Sequence, residues 1–301
     1  MLAALALGAC QAQHEPGQPA ADTPEAAVQR SIDLLRAGDF NALLQHALPP
    51  EDYANLRADW QRRQHNPQPV SAAERARFND VVRKLTGPDA ENRLYAELQP
   101  KLVAVEQQYQ DQLPLLIGVG DALLKRSLSQ SQTLSSAQTA QIDGMLDVLL
   151  PWAQQASWFD QAKARQAIHV AVTTAQKLDL TTPEQLHTMD FDTTVARYGT
   201  AYEGVKQLLL IYGLSVDNTL ASVKLTPLAA DDDRAVVRID YTLLDKPLRT
   251  ESTLLRENGR WYSADLLRNA RHSRQQLRLE AVLAAAPVGP ATKDGSSQPL
   301  D

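Results

Sequence analysis

Two carboxylates, Asp240 and Glu251, fall in stretches that alternate like β-strands. A carboxylate inside the concave face of a sheet is a workable general base. Along Val237-Arg238-Ile239-Asp240-Tyr241-Thr242-Leu243, however, Asp240 shares the polar face with Arg238 and Thr242. Glu251 alternates outward in the same way, so neither residue is assigned a catalytic role. The six histidines (His14, His46, His65, His169, His187, His272) are dispersed, with no second His or Cys at i+2, i+3 or i+4. That spacing predicts no zinc site. Asp231-Asp232-Asp233 lacks the alternating oxygen ligands and the glycine of a calcium loop, and reads as a solvated turn. There is no Gly-x-Ser-x-Gly elbow and no phosphate-cradling loop, so no cofactor is expected.

Tyr202-x-x-x-Lys206 resembles the tyrosine–lysine pair of short-chain dehydrogenases. Tyr202 belongs instead to an apolar stripe of Val195, Tyr198, Tyr202, Val205, Leu209 and Tyr212, which predicts a core tyrosine. Ile117-Gly118-Val119-Gly120 is a fragment of a dinucleotide fingerprint without its third glycine or a preceding strand; it is expected to ease helix packing or bend a helix. Trp152, Trp158 and Trp261 are expected in the core.

Arg268, Arg271, Arg274 and Arg278 fall in one segment that has no acid between Asp265 and Glu280. Arg268, Arg271 and Arg278 lie at helical offsets that share a face. Such a face is either a solvated one suited to its own helix dipole, or a contact for anionic headgroups or an acidic partner.

The chain's single cysteine ends the run Leu7-Gly8-Ala9-Cys10. That run resembles the lipobox of bacterial lipoproteins: an aliphatic residue, two small ones, then the cysteine that becomes lipidated. The resemblance implies removal of residues 1–9 as a signal peptide and acylation of Cys10. Two or more buried acyl chains give lasting membrane attachment. No Lys or Arg precedes the apolar run, which points to a start assigned too late. Gln11 after the cysteine, rather than Asp, implies outer-membrane export in a Gram-negative envelope, facing the periplasm. Residues 10–22, with Pro16, Gly17 and Pro19, fit a tether.

These residues need elements to position them. Thr23-Pro24-Glu25 opens a helix that Gly38 stops, and Asp39 caps a second that ends at Pro49-Pro50. A third is expected from Glu51 to about Arg63, then a linker at Asn66-Pro67-Gln68-Pro69. Ser71-Ala72-Ala73-Glu74 is a capping box for a helix ending at Gly87-Pro88. Asp89 opens another, broken near Pro100 and resumed through Leu102, Val105, Tyr109 and Leu116. Ser127–Ser136 reads as a loop. Helices follow through Ile142–Pro151, Ile168–Leu178 and Val195–Tyr212, the last closed by Gly213. An antiparallel meander of three or four strands occupies about 220–265, with Asn258-Gly259 as a type I′ turn. One helix follows, from Leu266 to about Leu283, and residues 284–301 are expected to be disordered. The fold class is therefore α+β, mostly helical: a domain over 23–283 with a sheet wet on one side and a helical insertion at about 71–213.

The chain has 301 residues, enough for one large domain or two smaller ones, and 44% hydrophobic with 22% charged residues is ordinary globular composition. A net charge of −6 and 5% aromatics argue against a nucleic-acid partner. No apolar run after the first ten residues is long enough to span a bilayer.

Two stretches resemble nuclear transport factor two-like (cystatin-like) domains: Thr23–Val28 with Leu34–Phe40, and Leu254–Tyr262 with its Gly259-Arg260-Trp261. The resemblance implies amino-terminal helices packed into a curved antiparallel sheet, with the long helical block between as an insertion. That fold hosts enzymes and inert binding modules alike. Two functions follow: a non-enzymatic, lipid-anchored envelope protein that binds a protein partner or small ligand, which is preferred, or an isomerase- or dehydratase-like enzyme using a pocket carboxylate.

Overall fold

The computed structural model describes residues 23–65, 69–109, 112–129 and 136–285. Cys10, the expected signal peptide and tether, and the tail from residue 286 lie outside the described residues.

The protein is a mostly helical α+β fold whose strands form one antiparallel sheet at the carboxy-terminal end. The first helices begin and end where their capping residues dictate. Thr23 Oγ1 accepts from the Ala26 N–H at the start of α1 (Pro24–Ala37), and Gly38 ends it at φ 68°. Asp39 caps α2 (Phe40–Ala47), and α3 (Pro50–His65) follows. The Ser71/Glu74 capping box opens α4 (Ala72–Thr86).

Proline placement departs from expectation. Pro100 lies inside α5 (Ala90–Tyr109) and Pro151 inside α7 (Ser136–Gln155). An interior proline costs about 3 kcal/mol, but α5 packs on α4 and α8 and α7 packs on the sheet, so tertiary contact overrides the local penalty. The expected break falls later: α5 ends at Tyr109, and α6 (Leu113–Ser129) begins with Pro114 in its first turn, where a missing N–H is harmless. Then come α8 (Gln161–Leu178), the short α9 (Gln185–Thr188), α10 (Phe191–Ile211) and the short α11 (Val216–Ala221). Gly213, at φ 91°, closes α10, with the Leu214 N–H donating to Leu209 O at 3.0 Å.

The sheet is a plain meander of β1 (Lys224–Ala230), β2 (Arg234–Leu243), β3 (Lys246–Glu257) and β4 (Arg260–Ser263), followed by α12 (Ala264–Ala285). Asn258 and Gly259 both take positive φ in a two-residue turn, with Glu257 paired to Arg260. The β2–β3 turn is also two residues long, formed by Leu244-Asp245 at φ 48° and 63°.

The sheet is not simply wet on one side. Trp261 and Leu254 point to the face covered by α1, where they pack with Ala27, Ala235 and Val237. Tyr262 and Leu255 point the other way, into a cluster with Leu48 after α2, Tyr53 and Leu56 of α3, and Leu267 of α12. Only toward β1 and β2 is the second face open, and there Asp240 is held between Arg238 (2.9 Å) and Arg249 (2.7 Å). A third cluster, Ala90, Tyr95, Ile168 and Val172, joins α5 to α8.

The expected apolar stripe on α10 is only partly core, since Tyr198 is 59% and Val205 50% exposed. The buried side is set by close approach instead. A Cβ on Gly204 would meet Thr174 Oγ1 at 2.4 Å, and one on Gly199 would meet the Gly38 carbonyl at 2.5 Å. These glycines bring α10 against α8 and the α1–α2 turn.

Trp261→Ala should destabilise the protein by about 3–5 kcal/mol in denaturant unfolding, because it empties the centre of the α1–sheet core. His46 supplies a pH test. It is buried, and its Nε2–H donates to Ala27 O at 2.9 Å. Burial, with Arg260 and Arg30 nearby, holds its imidazole below the ordinary 6.5. Its contribution is therefore full above about pH 6.5 and lost as pH falls, when the unfolded chain takes up a proton that the fold refuses. His46→Gln should flatten the loss of stability between about pH 7 and pH 5; an unchanged slope would place the acid sensitivity elsewhere.

Candidate functional site

Trp152, on the last turns of α7, is half-buried rather than in the core, as is Trp158 in the loop that follows. The indoles meet edge to face at 5.4 Å, and Trp158 lies over Tyr212 at 4.6 Å. Both indole N–H groups are satisfied by backbone: Trp152 donates to Tyr212 O at 2.8 Å and Trp158 to Ala153 O at 2.6 Å. The cluster thus ties the end of α7 to the end of α10 as a fixed wall.

Facing it is the β2–β3 hairpin, with Leu244, Pro247 and Leu248. Gln141 of α7 holds that hairpin in place, accepting from Thr250 Oγ1 at 3.1 Å and bonding Tyr241. Between the two walls runs a groove of about 930 Å³. That volume lies in the range of small-ligand sites, which are mostly apolar with a few placed polar groups.

Two ammonium groups border the groove, Lys163 from the first turn of α8 and Lys246 from the hairpin. Lys163 is half-buried, with Nζ 5.9 Å from the centre of the Tyr212 ring. Asp147 is already paired with Lys125 at 2.8 Å. Burial, aided by Asp160, pushes the Tyr212 phenol up, so Tyr212 stays neutral near pH 7. Walls of this kind can hold an apolar body and an anionic group; they contain no nucleophile paired with a base.

The residues singled out from sequence lie elsewhere. The bonds to Arg249 and Arg238 lower the Asp240 carboxyl from its ordinary value, the opposite of what a general base needs. Glu251 is exposed and sits across from Arg238 in the register. Lys206 is buried as a strut: its ammonium donates to Arg36 O at 3.0 Å and Asp217 at 2.9 Å and pairs with Glu203 at 2.8 Å. Burial pulls its pKa down, but those partners outweigh it and hold the charge. Tyr202 packs on Phe40 at 5.3 Å, and burial pushes its phenol up. Gly118 and Gly120 would meet nothing within 4 Å if given a Cβ, so packing among the described residues does not require them. Asp231 makes the expected turn, accepting from the Arg234 N–H at 2.7 Å.

The arginine face on α12 is not unopposed. Its acids come from other elements: Arg271 is bidentate to Glu257 (2.7 and 3.0 Å) and also bonds Asp52 of α3 at 2.8 Å. These partners raise its pKa, so it is fixed as a structural cation. Arg268 pairs with Asp265 at 2.9 Å, which leaves Arg278 as the exposed member of the trio without such a pair among the described residues. An anionic surface would find one open charge there, not three.

A second cavity of about 430 Å³ lies between the α1–α2 turn, α8 and α10, walled largely by threonines and charged side chains. Phe40 is the one aromatic residue in its lining. Among the described residues no group of three or more His, Cys, Asp or Glu is placed to hold a metal, and no helix is long and apolar enough to cross a membrane. No family model matches the chain, and no curated protein or solved structure matches it.

Sequence reasoning missed the groove because its parts come from four distant segments. The available signal was Trp152 and Trp158 on either side of a helix end; an indole there is as free to line a cleft as to fill a core.

Leu244 in left-handed conformation costs about 1–2 kcal/mol relative to a residue without Cβ. Leu244→Gly should therefore raise stability by about 1 kcal/mol while opening the groove wall. A clear loss of stability would show that the leucine is held for packing alone.

Proposed function

We propose that this chain is a lipid-anchored protein of a Gram-negative cell envelope, facing the periplasm from the outer membrane, and that its folded part is a non-enzymatic module binding a small, largely apolar ligand. The observation that carries the binding reading is the groove between Trp152 and Tyr212, backed by Trp158, and the β2–β3 hairpin, whose aromatic and aliphatic surfaces face each other without filling the space. The anchoring reading rests on Leu7-Gly8-Ala9-Cys10. Packing of α1 on a meander whose last turn leads into Trp261 supports the likeness to nuclear transport factor two-like domains, with α4 to α10 as the insertion. The isomerase-like alternative has no support from Asp240, whose two arginines keep it ionised and occupied.

Two measurements on the same protein test this. Expressed with an upstream start, the wild type should incorporate radioactive palmitate and partition into detergent, and Cys10→Ser should do neither; equal labelling would remove the anchor. The neutral fluorophore N-phenyl-1-naphthylamine should bind the folded domain saturably, and Trp152→Ala should weaken it about tenfold, or about 1.4 kcal/mol. Absent or non-saturable binding would remove the groove.

A further inference from the structure

We infer that the groove is built for an amphiphilic acid: an apolar body, aliphatic or aromatic, carrying one carboxylate that is received by Lys163 and Lys246. This deepens the binding reading above and rests on it.

The charges around the groove carry the inference. Several cations of the folded body are neutralised from within it. Lys206 has Asp217 and Glu203, Lys125 has Asp147 and Asp121, Arg57 has Asp192, and Arg271 has Asp52 and Glu257. Lys163 is half-buried, yet among the described residues it makes no ion pair, and neither does Lys246. The acids near the groove are already engaged. Asp147 holds Lys125, and Asp160 caps α8 by accepting from the backbone N–H of Lys163 at 2.9 Å. Lys163 rests instead near the face of Tyr212, a weak substitute for a carboxylate. Two unpaired ammoniums border a groove that is otherwise lined mainly by Trp152, Tyr212 and aliphatic side chains, with Asp147, Gln155 and Ser157 as its other polar groups, so the complementary occupant is anionic at one end and apolar along the rest.

The hairpin that presents Lys246 is itself held in an unfavourable shape. Leu244 and Asp245 both take positive φ without a glycine, which turns Leu244 onto the groove wall two residues before Lys246. Strain kept at a cleft is what a site positioned for a ligand shows, and a tight turn without function would more cheaply use Asn-Gly, as the β3–β4 turn of this chain does.

A neutral body alone would not distinguish an acid from an alcohol. Displacement of bound N-phenyl-1-naphthylamine by dodecanoate and dodecanol, and by 2-naphthoate and 2-naphthol, separates the terms. Each acid should displace the probe about tenfold better than its alcohol at low salt, and the advantage should shrink as salt rises. The aliphatic and aromatic pairs decide which body fits better. Lys163→Gln and Lys246→Gln should each lower the preference for acid, and the double variant should abolish it, read as the ratio of acid to alcohol displacement within each variant. If wild-type protein binds the probe but ranks acids and alcohols equally, the inference fails and the groove stands. If the double variant keeps the full preference, the lysines are not the receptors. If the probe does not bind, both the inference and the groove reading fail. The salt series on the wild type decides the matter even if a variant does not fold.

Discussion

Adjacent residues on one short strand hold this protein together. Trp261 and Tyr262 stand side by side on β4, and the period of two in a strand sends them to opposite faces of the sheet. One closes the core beneath α1, and the other closes the core beneath α3 and α12. The sheet is thus clamped at its β4 edge between the first helices of the chain and the last. Its far end, with the β2–β3 hairpin, projects away from that clamp toward α7. The groove lies at that end of the sheet, between the hairpin and the end of α7.

Charge follows the same logic of distant partners. Arg271 appears unopposed when neighbours along α12 are counted, yet it is the cation that ties α12 to Asp52 of α3 and Glu257 of β3. Lys206 resembles half of a catalytic pair but ends α1, where a cation is favoured by the helix dipole. Arg57 clamps Asp192 while lying over Phe191, joining α3 to α10. These cations are spent on holding elements together. Lys163 and Lys246 make no ion pair among the described residues and border the groove instead.

Local chemistry was legible in the sequence wherever a residue acts on its own neighbours. Thr23, Asp39 and Ser71 cap the helices they precede, Gly38 and Gly213 end helices at positive φ, and Asn258-Gly259 turns the last hairpin. What was not legible depended on residues far apart in the chain. Pro100 and Pro151 are tolerated because of neighbouring elements, and Leu244-Asp245 forms a turn no propensity favours. The candidate site belongs wholly to this second kind. Trp152, Lys163, Tyr212 and Lys246 share no motif, and only the packing of α7, α8 and α10 beside the hairpin brings them around one space.

The central claim is that this groove, rather than the arginine face or the threonine-lined cavity, receives the ligand. Hydrogen–deuterium exchange of the full-length protein, with and without dodecanoate, tests it most directly. Slowed exchange confined to residues 144–158 and 243–249, with α3 and α12 unchanged, is the predicted result. Protection centred on Arg271–Arg278 or on the turn at Gly38, with the groove unchanged, would contradict it.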